Sequence, residues 1–117
     1  IAEAVLAQDA GRGLSLVSAA ADEGVQLGEM LDQLLMFWRG LMLAKVTGTG
    51  SLDLSEIQKA GIEKLLAGTH LDTILAGLDI LSVAKGKLRT GGVTQVILEV
   101  AVVRLSRLQD LIPLTQL

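Results

Sequence analysis

Few residues in this chain could do chemistry, and they stand at spacings that serve none of the common reactions. Gly86-Lys87 could close a phosphate loop of the GxxxxGK type, in which backbone N–H groups cradle the phosphates. Leu81 occupies the place of the loop's first glycine, however, and Leu88 follows the lysine. No GxGxxG occurs either. Gly91-Gly92 could offer N–H groups to an anion ahead of a helix, although a simple helix-starting turn is the plainer reading. His70 is the only histidine and there is no cysteine, so nothing beside it supplies further metal ligands or a nucleophile. It reads as a loop histidine at a helix start. Asp22-Glu23 and the Lys85, Lys87, Arg89 group read as solvated faces. Phe37 and Trp38 are the only aromatic residues. Two adjacent rings make no stacking platform for single-stranded nucleic acid, and both read as core.

Composition narrows the field in the same direction. The chain has 117 residues, 50% hydrophobic and 20% charged, with 13 glycines and one proline. Its mean hydropathy is +0.55. That is one domain's length, with enough apolar surface to offset chain ordering. The lack of cysteine excludes disulfide scaffolds, zinc ribbons and iron–sulfur clusters. A net charge of −3 opposes direct binding of nucleic acid. The charge is uneven: residues 1–56 carry 3 basic and 8 acidic side chains, and residues 57–117 carry 7 and 5. Unlike halves suit a subunit that meets its neighbours through unlike faces. The most apolar window, Met30 to Val46, is interrupted by Asp32, Arg39 and Lys45. Each charge costs roughly 2.5–3.5 kcal/mol at mid-bilayer, so no membrane span is expected. The chain begins at Ile1 without a basic n-region, and it reads as a piece excised from something longer.

The elements that must position these residues are helical. Ala4, Val5 and Ala7 suggest a short first helix ending near Asp9, and Leu14, Val17 and Ala21 a second, stopped by Gly24. Leu27, Met30, Leu31, Leu34, Leu35, Trp38, Leu41, Met42 and Val46 recur at i, i+3, i+4, i+7 in the third. With Met36, Phe37 and Leu43 outside that stripe, this helix reads as central. A loop over residues 47–51 precedes Ser55-Glu56-Ile57-Gln58, which reads as a capping box. Thr69 and Asp72 form a second start signal, and Leu71, Ile74, Leu75, Leu78 and Leu81 carry the fifth helix towards Leu88. The β-branched run Val96 to Val103 favours a strand by propensity. Gln95, Glu99, Ser106, Arg107 and Asp110 nevertheless fall along one helical stripe, which assigns this segment to a helix with a solvated face. The expected fold is all-α: an antiparallel bundle of five to six helices in one domain over residues 1–117, with 109–117 as a tail. Leu31, Leu34, Leu35, Trp38, Leu41, Leu75 and Leu78 are its expected core. Gly40 and Gly77 fall inside helices, where they mark either close helix approach or tolerated looseness.

The order of residues adds a resemblance. Gly24-Val25-Gln26-Leu27-Gly28-Glu29-Met30-Leu31-Asp32-Gln33-Leu34-Leu35, then Trp38-Arg39-Gly40-Leu41-Met42-Leu43-Ala44-Lys45, resembles a passage of the bacterial DNA polymerase III gamma/tau family. Asp9-Ala10 and Leu14, the stretch Leu71 to Leu88, and Leu98-Glu99-Val100-Ala101-Val102-Val103-Arg104-Leu105 are similar to further parts of the same region. Two positions depart from the pattern. Gln26 stands where Asp or Asn is common, and Thr90-Gly91-Gly92-Val93 replaces an Asn-Pro-Arg-like start. The resemblance implies the collar, domain III, which joins clamp-loader subunits into a pentameric ring for sliding-clamp loading in DNA replication. It implies a non-catalytic, cytoplasmic part of an AAA+ ATPase subunit whose ATP and Mg sites lie in another module. The implied partners are gamma/tau copies, delta and delta-prime, and in some bacteria an accessory-subunit peptide.

On the last helix Val103 breaks the polar stripe, with Arg104 and Arg107 nearby, and an apolar position flanked by charge suits a subunit contact. Val103, Arg104 and Arg107 are therefore the candidate interface. A second possibility is a bundle that binds an apolar ligand or partner helix, with Trp38, Met30 and Met42 lining the pocket. A third is a lipid-surface domain.

Overall fold

The computed structural model describes residues 2–48 and 55–108. Among them are six helices and no strand: α1 (Ala2–Leu6), α2 (Ala10–Asp22), α3 (Leu27–Thr47), α4 (Glu56–Ala67), α5 (Leu71–Arg89) and α6 (Thr94–Ser106). The chain is all-α, with its core in a bundle. The expected tail over 109–117, and Asp110 within it, lie outside the described residues.

Local chemistry sets most of the helix ends. The first helix stops at Leu6, earlier than the sequence suggested, because Asp9 belongs to the next one. Its carboxylate accepts the Arg12 backbone N–H at 3.0 Å and caps α2. Gly24 closes α2 with φ +78. Val25 N–H reaches Ala20 O at 3.0 Å and Gly24 N–H reaches Ala21 O at 3.1 Å, the paired bonds of a Schellman end. Gln26 begins α3 with no side-chain cap. At α4 the Ser55 hydroxyl accepts the Gln58 N–H at 3.2 Å while Gln58 Oε1 accepts the Ser55 N–H at 3.1 Å, the reciprocal pair of a capping box. The second start signal is different from its reading. His70 holds the N-cap of α5 without a side-chain bond, and the Thr69 hydroxyl donates backwards to Leu65 O at 2.9 Å.

Packing then makes α6 the central element. It lies against α1, α2, α3 and α5, while α3 packs along α5. Trp38 meets Gly77 and Lys85 meets Asp32, so α3 and α5 run antiparallel. Leu98, Ala101, Val102 and Leu105 are buried on α6. This corrects the solvated stripe expected there: Ser106 is only 2% exposed, and Gln95 and Glu99 are half-buried. Ser106 tolerates burial because its hydroxyl donates to Val102 O one turn back, at 2.8 Å. The third helix, apolar nearly all round, is less enclosed than its composition suggested, with Met36 60% exposed and Val46 63%. Helix α4 is peripheral: it bends 101° from α5 and buries Leu66 alone. Lys45 Nζ on α3 ties it down by donating to Leu66 O at 2.8 Å.

Of the expected core, Leu31, Leu34, Trp38 and Leu41 are buried, and Leu35 and Leu78 are half-buried against them. Leu75 is a correction. It is 42% exposed, because the helix turns Thr73, Ile74 and Gly77 inward instead. The two mid-helix glycines divide. A Cβ on Gly77 would collide with the Trp38 indole, 2.8 Å from Cδ1 and closer still to Nε1, so Gly77 is a site of close approach. A Cβ on Gly40 would meet nothing within 4 Å. Gly40→Ala is therefore expected to stabilise the fold by roughly 0.5–1 kcal/mol, the backbone entropy that glycine costs in a helix. Thermal denaturation checks this, and an unchanged or lowered Tm contradicts it.

Candidate protein-interaction surface

The residues with chemical potential do not assemble. Gly86-Lys87 lies in the last turn of α5, helical rather than looped. Gly91, with φ +90, and Gly92 form the turn into α6, and a Cβ on Gly92 would come within 2.6 Å of Ile97 Cδ1. His70 is exposed. Among the described residues no group of His, Cys, Asp or Glu could hold a metal ion. Lys85 stands apart from its neighbours Lys87 and Arg89, because it donates to Asp32 on α3 at 2.6 Å. Both side chains of that pair are substantially exposed, 37% and 53%. Water screens such a pair, leaving a contribution of about 0–1 kcal/mol.

The residues expected to line a ligand pocket are packed in or against the core. Trp38 is 4% exposed and lies over Gly77, with Phe37 meeting its ring edge-on at 5.8 Å between centroids. Met30 and Met42 are half-buried against the core. None of these three lines either of the two clefts that flank α6.

Those clefts make the surface with the most distinctive chemistry. The first, about 230 Å³, runs between α5 and α6. Ile80, Val83 and Ala84 form one apolar wall and Val96, Ile97 and Val100 the other, with Asp79, Lys87 and Arg104 at the rim. The second is shallower and lies on the α2 side, bounded by Leu14, Glu99, Val100, Val103 and Arg104. Val100 and Arg104 belong to both, so α6 presents a ridge between two apolar hollows. Val103 is half-buried in the second, while Arg104 and Arg107 are exposed beside it. The helix register produces this: Leu98, Ala101, Val102 and Leu105 turn inward, which leaves Val96, Val100 and Val103 on the outer side. Leu14, Val83 and Val100 escaped sequence reading as parts of one surface, since only the packing of α2 and α5 on α6 brings them together. Gly13 escaped it too. A Cβ there would come 2.6 Å from Val102 Cγ1, so α2 can lie this close to α6 only with glycine at that position.

Among the described residues no single helix is long and apolar enough to cross a membrane, and the one pair that qualifies jointly, α4 with α5, is bent by 101°. No curated protein and no solved structure matches this chain. A family model described as DNA polymerase III subunits gamma and tau domain III matches residues 1–117, the whole chain.

Proposed function

We propose that this chain, which belongs to the family of domain III of the DNA polymerase III gamma and tau subunits, serves as the collar that joins clamp-loader subunits into a ring. The match over residues 1–117 carries the reading. The exposed side of α6 supports it physically, because apolar positions rimmed by charge are what a subunit contact requires. In this reading the domain is non-catalytic and acts in the cytoplasm. ATP and Mg bind in a separate module of the parent subunit, and the partners are further gamma/tau copies, delta and delta-prime. A ring contact is heterologous, one face meeting a different face, so the isolated domain self-associates weakly until other subunits close the ring.

The Val103, Arg104, Arg107 cluster is the proposed contact. Val103→Glu places a charge where a neighbour's apolar surface would sit. It is expected to weaken assembly with partner subunits in analytical ultracentrifugation while leaving helical circular dichroism intact. Unchanged assembly removes this side of α6 from the interface, and lost helicity reassigns Val103 to the core. Calorimetric titration with ATP is expected to give no binding heat, and stoichiometric binding at micromolar Kd would contradict the non-catalytic reading.

A further inference from the structure

Helix α4 is fastened to the rest of the molecule at one end. It buries Leu66 and sets Ile62 and Leu65 half-buried against the core, all three in its C-terminal half. Ile57, near its start, is 87% exposed. Among the described residues its principal partner is α3. The bond across that contact runs from Lys45 Nζ to Leu66 O at 2.8 Å. It joins a cation to one of the terminal carbonyls of α4, where the helix dipole favours positive charge. Lys45 follows buried Ala44 and lies one turn beyond buried Leu41, so the end of α4 covers the last turns of α3.

The link to α5 has the form of a hinge. The two helices meet at 101° across Gly68, Thr69 and His70. Gly68 is exposed, and a Cβ there would meet only Leu65 O, at 3.9 Å. Hinges are a few residues at element ends that absorb changes in φ and ψ. Thr69 is buried and its hydroxyl holds Leu65 O, so the hinge opens only as the last turn of α4 gives way. The rest of the bundle closes without α4, since α6 lies against α1, α2, α3 and α5. Helix α4 has 12 residues, and isolated helices shorter than about 12–15 residues are marginal in water. Once released from α3 it loses its backbone hydrogen bonds, which makes detachment and melting one event.

We propose that α4 is a latched flap, which opens as one unit about Gly68–His70 while the other five helices stay folded, and that Lys45 is the latch. Opening bares Ile62, Leu65, Leu66 and the end of α3 beneath them, apolar surface that the closed form hides. It belongs to the single chain and does not depend on subunit assembly. Native-state hydrogen exchange, followed by NMR on the 117-residue chain, tests it. The amides of Ala60 to Leu66 are expected to exchange through one common opening, roughly a hundredfold more often than those of Leu98, Ala101 and Val102 on α6. Lys45→Met keeps the aliphatic stem and removes the donor. It should speed exchange across Ala60 to Leu66 roughly tenfold, the factor expected for one hydrogen bond from a charged group, and leave the α6 amides unchanged. Amides of α4 that exchange no faster than those of α6 would overturn the flap. Rates graded along α4 from Glu56 inward would overturn it as well, because they mark fraying. Equal acceleration of α4 and α6 by Lys45→Met, or none in either, would overturn the latch.

Discussion

Trp38→Ala is expected to cost about 3–5 kcal/mol, the range for removing a large buried aromatic side chain. The indole is 4% exposed and fills the space between α3 and α5 where Gly77 leaves α5 without a side chain. The same contact predicts a change of sign. With Trp38 present, Gly77→Ala drives a methyl group into a rigid ring, and overpacking of this kind costs about 1–3 kcal/mol. Once Trp38→Ala has removed the ring, the added methyl occupies vacated space and alanine's helix propensity, about 1 kcal/mol over glycine, is gained. Leu105 Cδ2, 3.2 Å from the new Cβ, is the end of a flexible side chain that can turn aside. Gly77→Ala should therefore lower stability in the parent and raise it in the Trp38→Ala background. Chemical denaturation of the four proteins measures the coupling, and additive effects would show that ring and glycine do not meet.

Leu31→Ala gives the second large effect. Leu31 is 1% exposed on the α3 face that meets the core. Its truncation is expected to cost about 2–5 kcal/mol through lost burial and residual cavity. Met36 lies five residues on, at 60% exposure. Met36→Ala should stay within about 0.5 kcal/mol, as surface changes do. Comparable midpoints for the two variants in urea would mean that the helix face is misassigned. For a domain of ordinary stability, roughly 5–15 kcal/mol, the Leu31 loss removes a large fraction.

The parts of this fold legible in the sequence are those decided within a few residues. The Ser55–Gln58 capping box and the Gly24 helix end depend on neighbours in the chain, and both form as written. The stripe of Leu31, Leu34, Trp38 and Leu41 was legible because four spaced apolar residues outweigh any single exception. Ser106 misled because polarity was equated with exposure, whereas a hydroxyl can satisfy itself on its own helix and be buried with it. Leu75 misled for the converse reason. Its spacing fits the core stripe, but α5 buries a face rotated towards Ile74 and Gly77. Gly40 and Gly77 look alike in sequence, and only the crossing of α3 and α5 tells them apart. The candidate surface was half legible. Val103 and Arg104 stand out in the sequence as a break in a polar stripe, although the packing does not keep that stripe solvated, and Leu14, Val83 and Val100 join them only through tertiary packing.

The collar role is tested most directly by deleting residues 1–117 from the full-length parent subunit and sedimenting the product with delta and delta-prime. The expected result is loss of the multi-subunit complex with nucleotide binding by the remaining module intact. A complex of unchanged stoichiometry and stability without these residues would contradict it.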